Sequence, residues 1–308
     1  MKIYKYGGNI LKNETTRKSI YKHLKEDKEK KIIIVSAIKD TPYATDQLLN
    51  LIHHNTDYYM QERLLTTGEM ISTFIICNEL KNLYVNCDFL YPEEIGIEVI
   101  KEKDQIQITN LNPTIIEQKL KQCDLLICPG FTAIDQNHKI VSLNRGGSDL
   151  TAVLLAKMLN VSEVTFFKDV AGVSLCNPKY FSNNKILAHV GYDKMILFAK
   201  HGSNLLQLDA LKKAKEYQIA LRIKHFALCN EGTLIDEKKG DSSLSVNILN
   251  NKIYIDGFTN ILFIKKILFE NNIPYDLLLC LGETIEITTH HHNENEIFHI
   301  VCSSLFRS

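Results

Sequence analysis

Short apolar runs alternate along this chain with longer segments whose apolar positions recur at helical spacing. Residues 2–6 (KIYKY) read as a strand, and residues 13–27 as a polar amphipathic helix with Asn13 as its N-cap. The unbroken run at 31–36 (KIIIVS) predicts a strand buried on both faces. Residues 45–54 and 62–82 have helical periodicity, and 125–128 reads as a second buried strand ended by Pro129-Gly130. A strong helical stripe at 149–159 (DLTAVLLAKML) leads to a strand at 163–168. Helices at 192–200 and 210–217 follow, then a strand at 220–224. Strands and helices in turn predict βαβ units, and so an α/β fold: an open, mostly parallel sheet sandwiched by helices.

The polar stretch at 230–243 (NEGTLIDEKKGDSS) breaks the pattern and reads as a linker. Beyond it come a strand at 251–256, a helix at 260–272, and strands at 275–281 and 284–289. This βαββ unit is small for an independent core, so it is expected to pack on the larger part or to pair with a second copy. The predicted division is 1–240 for the large domain and 250–308 for the small unit.

Composition narrows the classes of partner. Lys+Arg and Asp+Glu both number 36, so no global field favours nucleic acid or an acidic membrane. Neither a signal-like N-terminal h-region nor a long apolar run is visible, so a cytoplasmic protein without a membrane span is expected. The eight cysteines (77, 87, 123, 128, 176, 229, 280 and 302) form no CxxC pair and read as small hydrophobes in a reducing compartment. The run His290, His291, His292 reads as a solvated turn rather than a metal site, because adjacent residues do not easily converge on one ion.

Three places could carry chemistry. After the first strand comes Lys5-Tyr6-Gly7-Gly8, where glycines let the backbone approach an anion and a lysine supplies a mobile cation. Ser36 stands at the carboxyl end of the second strand, where open α/β sheets place ligands. Thr45 follows at a helix start and could be simply an N-cap. The strongest cluster is Leu143-Asn144-Arg145-Gly146-Gly147-Ser148-Asp149. Its arginine suits a carboxylate, and Ser148 and Asp149 are N-cap candidates at a dipole-positive helix terminus.

At this point the chain resembles the aspartokinases, within the amino acid kinase fold. KYGGNI matches the family's first-strand KFGGTS-type motif, and VSA with TDQLL at 35–49 matches its second-strand region. Gly68-Glu69 matches its acidic GE motif, Gly130-Phe131 its GF motif with a following loop, and LNRGGSD its LGRGGSD. The likeness runs from residue 1 to about residue 290, and 260–289 is similar to the family's first ACT module. The resemblance implies transfer of the γ-phosphoryl of ATP, with Mg2+, to the side-chain carboxylate of L-aspartate. It further implies nucleotide contacts by Lys5, Gly7, Gly8, Ser36, Lys168, Asp169, Asn177 and Asn204. Aspartate would be held by Thr45, Glu69, Phe131, Arg145, Gly147 and Ser148, with Glu69 facing its ammonium and Arg145 a carboxylate. Lys5 and Asp149 would be catalytic, Asp149 orienting Lys5 or assisting the magnesium-bound phosphates. A homodimer is expected from the open strand edges of the small unit, which favour pairing.

The nucleotide side departs from the family pattern. Lys168 replaces a threonine, Asn177 an acid, and Asn204 the lysine expected in the family's FGAKVLHP. Lys168 or Lys200 is expected to restore that charge from another direction. Two alternatives stay open: a kinase for another amino acid, and a catalytically weak aspartate-binding pseudokinase or regulatory subunit.

Overall fold

A computed structural model describes all residues except 103–104, 177–180, 182–184, 228–230, 239–243, 290–293 and 307–308. The chain opens with β1 (Lys2–Tyr6), α1 (Gly8–Leu11), α2 (Glu14–Glu26) and β2 (Lys31–Val35). Next come α3 (Thr45–Leu49), α4 (Tyr58–Asn82), β3 (Cys87–Phe89), β4 (Ile97–Glu102) and β5 (Gln105–Leu111). They are followed by α5 (Thr114–Lys119), β6 (Leu125–Pro129), β7 (Thr132–Asp135), β8 (Ile140–Ser142) and α6 (Gly147–Met158). β9 (Glu163–Lys168), β10 (His189–Gly191), α7 (Tyr192–Lys200), α8 (Leu208–Tyr217), β11 (Ala220–His225) and β12 (Thr233–Asp236) continue the chain. The last elements are β13 (Ser245–Leu249), β14 (Lys252–Asp256), α9 (Ile261–Glu270), β15 (Leu277–Leu281), β16 (Thr284–Thr288) and α10 (Glu294–Leu305).

These elements form two compact units: Met1–Ala171 with Asp209–Glu231, and Gly172–Leu208 with Gly232–Ser308. The boundary expected between 240 and 250 therefore lies inside the second unit.

In the first unit, six parallel strands lie in the order β11-β9-β1-β2-β6-β3. Alternation along a strand sends successive side chains to opposite faces. Tyr4, Tyr6, Ile33, Val35, Leu125 and Ile127 share one core with Ile20 and Leu24 of α2 and Ile76 and Leu80 of α4. Lys5 has the opposite parity and so belongs to the other face, where α6 packs on β1, β2 and β9. α2 starts as predicted, because the Asn13 side chain accepts from the Thr15 and Thr16 amides at 2.8 and 3.3 Å. α4 begins earlier than predicted, at Tyr58, because Asp57 caps it in the same way.

The segment after Pro129-Gly130, expected as a loop, is instead paired. It forms β7 and β8, which join the hairpin β4–β5 in a second sheet of order β5-β4-β7-β8.

In the second unit, β10 pairs in parallel with β12. Part of the expected linker is thus a strand, since Ile235 is fully buried and ladder pairing outweighs the polar neighbours. Four antiparallel strands, β13-β14-β16-β15, pack with α9 and α10 in an ACT-like arrangement. The expected βαββ was therefore incomplete. β13 adds Val246, and α10 adds Phe298, Val301 and Cys302 to the apolar core of the sheet. The histidines at 290–292 and Cys229 lie outside the described residues. Of the remaining cysteines, all but Cys280 are buried. Among the described residues, no helix is long and apolar enough to cross a membrane.

Candidate active site

Lys5 stands near the carboxyl end of β1, and Lys168 ends the neighbouring parallel strand β9. In that register Lys5 lies opposite Phe166, so Lys168, two residues on, has the same parity as Lys5. Asp149, in the first turn of α6, joins them. Its Oδ1 lies 2.7 Å from the Lys5 ammonium, and its Oδ2 lies 3.7 Å from that of Lys168. Lys5 and Asp149 are buried. Burial depresses the Lys168 ammonium to about 8, Asp149 partly holding it up while Lys5 pushes it further down. A carboxylate between one buried and one half-buried ammonium group is a cationic cluster at the carboxyl edge of the sheet, suited to phosphate oxygens.

The loop before α6 makes this arrangement possible. Gly146 takes a left-handed φ of 82° and is the N-cap, a conformation that disfavours side chains. Neither Ser148 nor Asp149 is therefore the cap, as the sequence had suggested; both lie in the first turn. Freed from capping, the Ser148 hydroxyl donates to Glu69 Oε1 at 3.4 Å. Gly130 allows this close approach, for a Cβ there would lie 2.5 Å from that of Ser148.

Glu69 comes from α4 and is 3% exposed. Its Oε2 has no hydrogen-bond partner among the described residues. Burial pushes its carboxyl up to about 8, and the nearby Ala37 amide, the charge of Lys5 and the Ser148 hydroxyl offset only part of that. The Ala37 amide eases the charge without closing a bond of ordinary geometry. A buried acid with an unused oxygen beside a hydroxyl is fitted to receive a cationic group such as an ammonium. Gly68 lets α4 close in, because a side chain there would strike the Tyr43 carbonyl. Phe131, buried nearby on the chain leaving β6, holds a φ of 67°, unusual for a bulky residue. Its amide donates to Thr151 Oγ1 at 3.0 Å, and its carbonyl accepts from the Leu143 amide at 2.7 Å.

Other predicted residues are placed differently. Gly7 caps the short α1 in an extended conformation. Gly8 is required by the protein's own packing, since a Cβ would collide with the Ala37 carbonyl oxygen. Ser36 follows β2, half-buried, with its amide on the Tyr6 carbonyl at 3.3 Å. Thr45 is the first residue of α3, and Ala44, not Thr45, is the cap. Arg145 is not gathered with Glu69 and Ser148. Its side chain is 88% exposed and pairs with Asp46 of α3 at 3.2 Å. Asp169 is exposed and accepts from the Asn9 side chain at 2.6 Å, which links α1 to the segment after β9. Asn204 and Lys200 belong to the second unit, and Asn177 lies outside the described residues.

Sequence reasoning missed Glu62, Lys101 and Ser142, which form a buried ion-pair and hydrogen-bond network beside the site. One signal was available: Glu62 precedes Glu69 by two helical turns, in a buried stripe of α4 that also includes Thr66, Ser72 and Thr73. A polar stripe on a buried helix marks a site rather than a core.

The sequence pattern of the amino acid kinase family matches residues 1–225. The chain belongs to the amino acid kinase family. Among curated relatives of this family member, an aspartokinase of Bacillus sp. (strain MGA3) is 28% identical over 77% of this chain and 58% of its own length. Aspartokinase 2 of Bacillus subtilis (strain 168) is 25% identical over 90% of this chain and 71% of its own. The chain thus spans about three fifths to seven tenths of the length of these relatives. The fold is shared with E. coli aspartokinase III, solved with aspartate and ADP, at a TM-score of 0.70 and 16% identity. That match covers 99% of this chain and 84% of the E. coli chain.

Proposed function

We propose that this chain transfers the γ-phosphoryl group of ATP to the side-chain carboxylate of L-aspartate, forming 4-phospho-L-aspartate and ADP. The observation that carries the reading is the junction at α6. Asp149 holds Lys5 and Lys168 on one side, and the preceding residue, Ser148, meets the buried Glu69 on the other. A cation pair for phosphates and an acid for an ammonium thus meet at one helix terminus. Phosphoryl transfer asks the protein mainly for alignment and charge neutralisation. An aspartate carboxylate oxygen attacks the γ-phosphorus, the bond to the β–γ bridging oxygen breaks, and its electron pair leaves on ADP. Lys5 and Lys168 stabilise the charge on the phosphoryl oxygens, with Gly7, Gly8, Ser36 and Asp169 around the nucleotide. Glu69 receives the substrate ammonium, Ser148, Gly147, Phe131 and Thr45 line the acceptor, and Arg145 exchanges Asp46 for a substrate carboxylate.

Mg2+ is assigned to the nucleotide's phosphates. Among the described residues no three His, Cys, Asp or Glu side chains gather as a metal site. The carboxylates nearest the proposed phosphate side, Asp149 and Asp169, are engaged with Lys5 and Asn9.

The names of the relatives support the choice of acceptor. A hydroxamate assay with aspartate, ATP and Mg2+ tests it: product is expected from the native chain and not from Lys5→Ala. No product above the Lys5→Ala level sinks the assignment. A cytoplasmic homodimer is part of the same reading, with the half-exposed Leu277 and Leu281 of β15 at an open sheet edge. Sedimentation at the monomer mass would overturn the dimer.

A further inference from the structure

Glu62 and Glu69 lie on the same buried side of α4, but they meet different partners. The two Glu62 oxygens lie 2.8 and 2.9 Å from the ammonium of Lys101, a residue of β4. The same ammonium donates to the Ser142 carbonyl at 2.9 Å and to the Ser142 hydroxyl at 2.7 Å. The Ser142 amide donates back to Glu62 Oε2. The Lys101 side chain is 4% exposed, so this is an interior network with every lysine proton available to a partner.

Its position gives it meaning. Ser142 is the last residue of β8, and the loop that delivers Ser148 and Asp149 begins at the next residue. Glu62 stands two turns before Glu69 on a continuous helix. One ammonium therefore fixes the root of the Ser148 loop against the helix that carries Glu69. A buried ion pair is a poor source of net stability compared with apolar packing, but its directional bonds define one register. The lysines of the phosphate side come from β1 and β9, which the network does not touch.

We infer that Lys101 is a positioning residue for the acceptor half of the site, setting the Glu69–Ser148 spacing through Glu62 and Ser142 without touching substrate. The inference rests on the proposed kinase reading for its kinetic form.

Lys101→Met would leave the Glu62 carboxylate buried without its cation and could unfold the chain. The paired variant Lys101→Met/Glu62→Gln removes both charges and serves as the main test. The expected result is a KM for aspartate raised about tenfold or more, with the KM for ATP within about twofold and kcat changed less than the aspartate KM. Lys101→Arg, which keeps the cation, is expected to recover part of the aspartate KM relative to Lys101→Met. Parallel changes in both KM values, or native kinetics in the paired variant, would overturn the inference. If the native chain makes no aspartyl phosphate, the functional reading fails and amide exchange judges the clamp. Faster exchange at residues 143–148 in the paired variant, with β1 and β2 unchanged, upholds it; unchanged exchange there overturns it.

Discussion

At Glu69 a carboxyl that titrates near 4.5 in water is pushed to about 8 by burial. Its consequence for stability has a definite sign. The folded chain binds this proton more tightly than the unfolded chain, so between pH 4.5 and 8 folding takes up a proton. The associated stability is full below the lower value and lost as pH rises through the upper one. Thermal melts of the native chain should therefore fall over this window relative to Glu69→Gln, which lacks the group. At pH 8 the variant should melt higher by about 2 °C or more, while its KM for aspartate rises. Equal melting curves for the two proteins across the window would refute the buried, unionised Glu69. Lys168 is perturbed in the opposite sense, toward the neutral amine, by the same loss of water. The RGGSD run, Lys5 and Glu69 were all legible in the sequence as candidates. The pairing of Lys168 with Asp149 was not, because charge compensation depends on which strands are neighbours.

Among the elements, α6 shows how local rules and packing divide the work. Its apolar stripe announced a helix, yet its start moved because the left-handed turn at Gly146 makes that residue the cap. Gly130, distant in sequence, then decides how closely the first turn can approach the end of β6. Gly130→Ala would place a Cβ 2.5 Å from that of Ser148, where neither backbone is free to yield. The expected effect is a loss of about 1–3 kcal/mol in stability together with a raised KM for aspartate. Denaturant unfolding and steady-state kinetics measure the two, and a native KM would remove Ser148 from the acceptor site. The strands read as buried, β2 and β6, were legible because a short, continuous run of apolar and β-branched residues suits a central strand covered by helices on each side. β4 was missed because its half-buried alternation (IEVIKE) is weak, and because Lys101 sits in it like a solvent-facing residue.

Across the whole molecule, the chain weaves between two units, each with its own apolar core. Phe298, fully buried in α10, anchors the core of the four-stranded antiparallel sheet. Phe298→Ala should cost about 3–5 kcal/mol, drawn from the second unit. Calorimetry should show a transition moved to lower temperature, while amide protection in β1 and β2 of the first unit stays native. Loss of protection in both units together would mean that they unfold as one. The linker expected at 230–243 hid β12 because a strand of four residues among polar neighbours is stabilised by its ladder partner, not by its own composition.

The sequence by itself determined the α/β class, the positions of the main buried strands along the chain, the glycine-flanked motifs and the family they resemble. These depend on local periodicity and on residue types that few backbones tolerate. The tertiary structure alone decided that Asp149 serves two lysines, that Arg145 lies at an exposed rim with Asp46, and that residues 172–208 fold with the C-terminal part. It also decided that Lys101 is an interior cation. Each of these depends on burial and on contacts between residues far apart in the chain, and burial sets the strength of a charge only after the chain has closed around it.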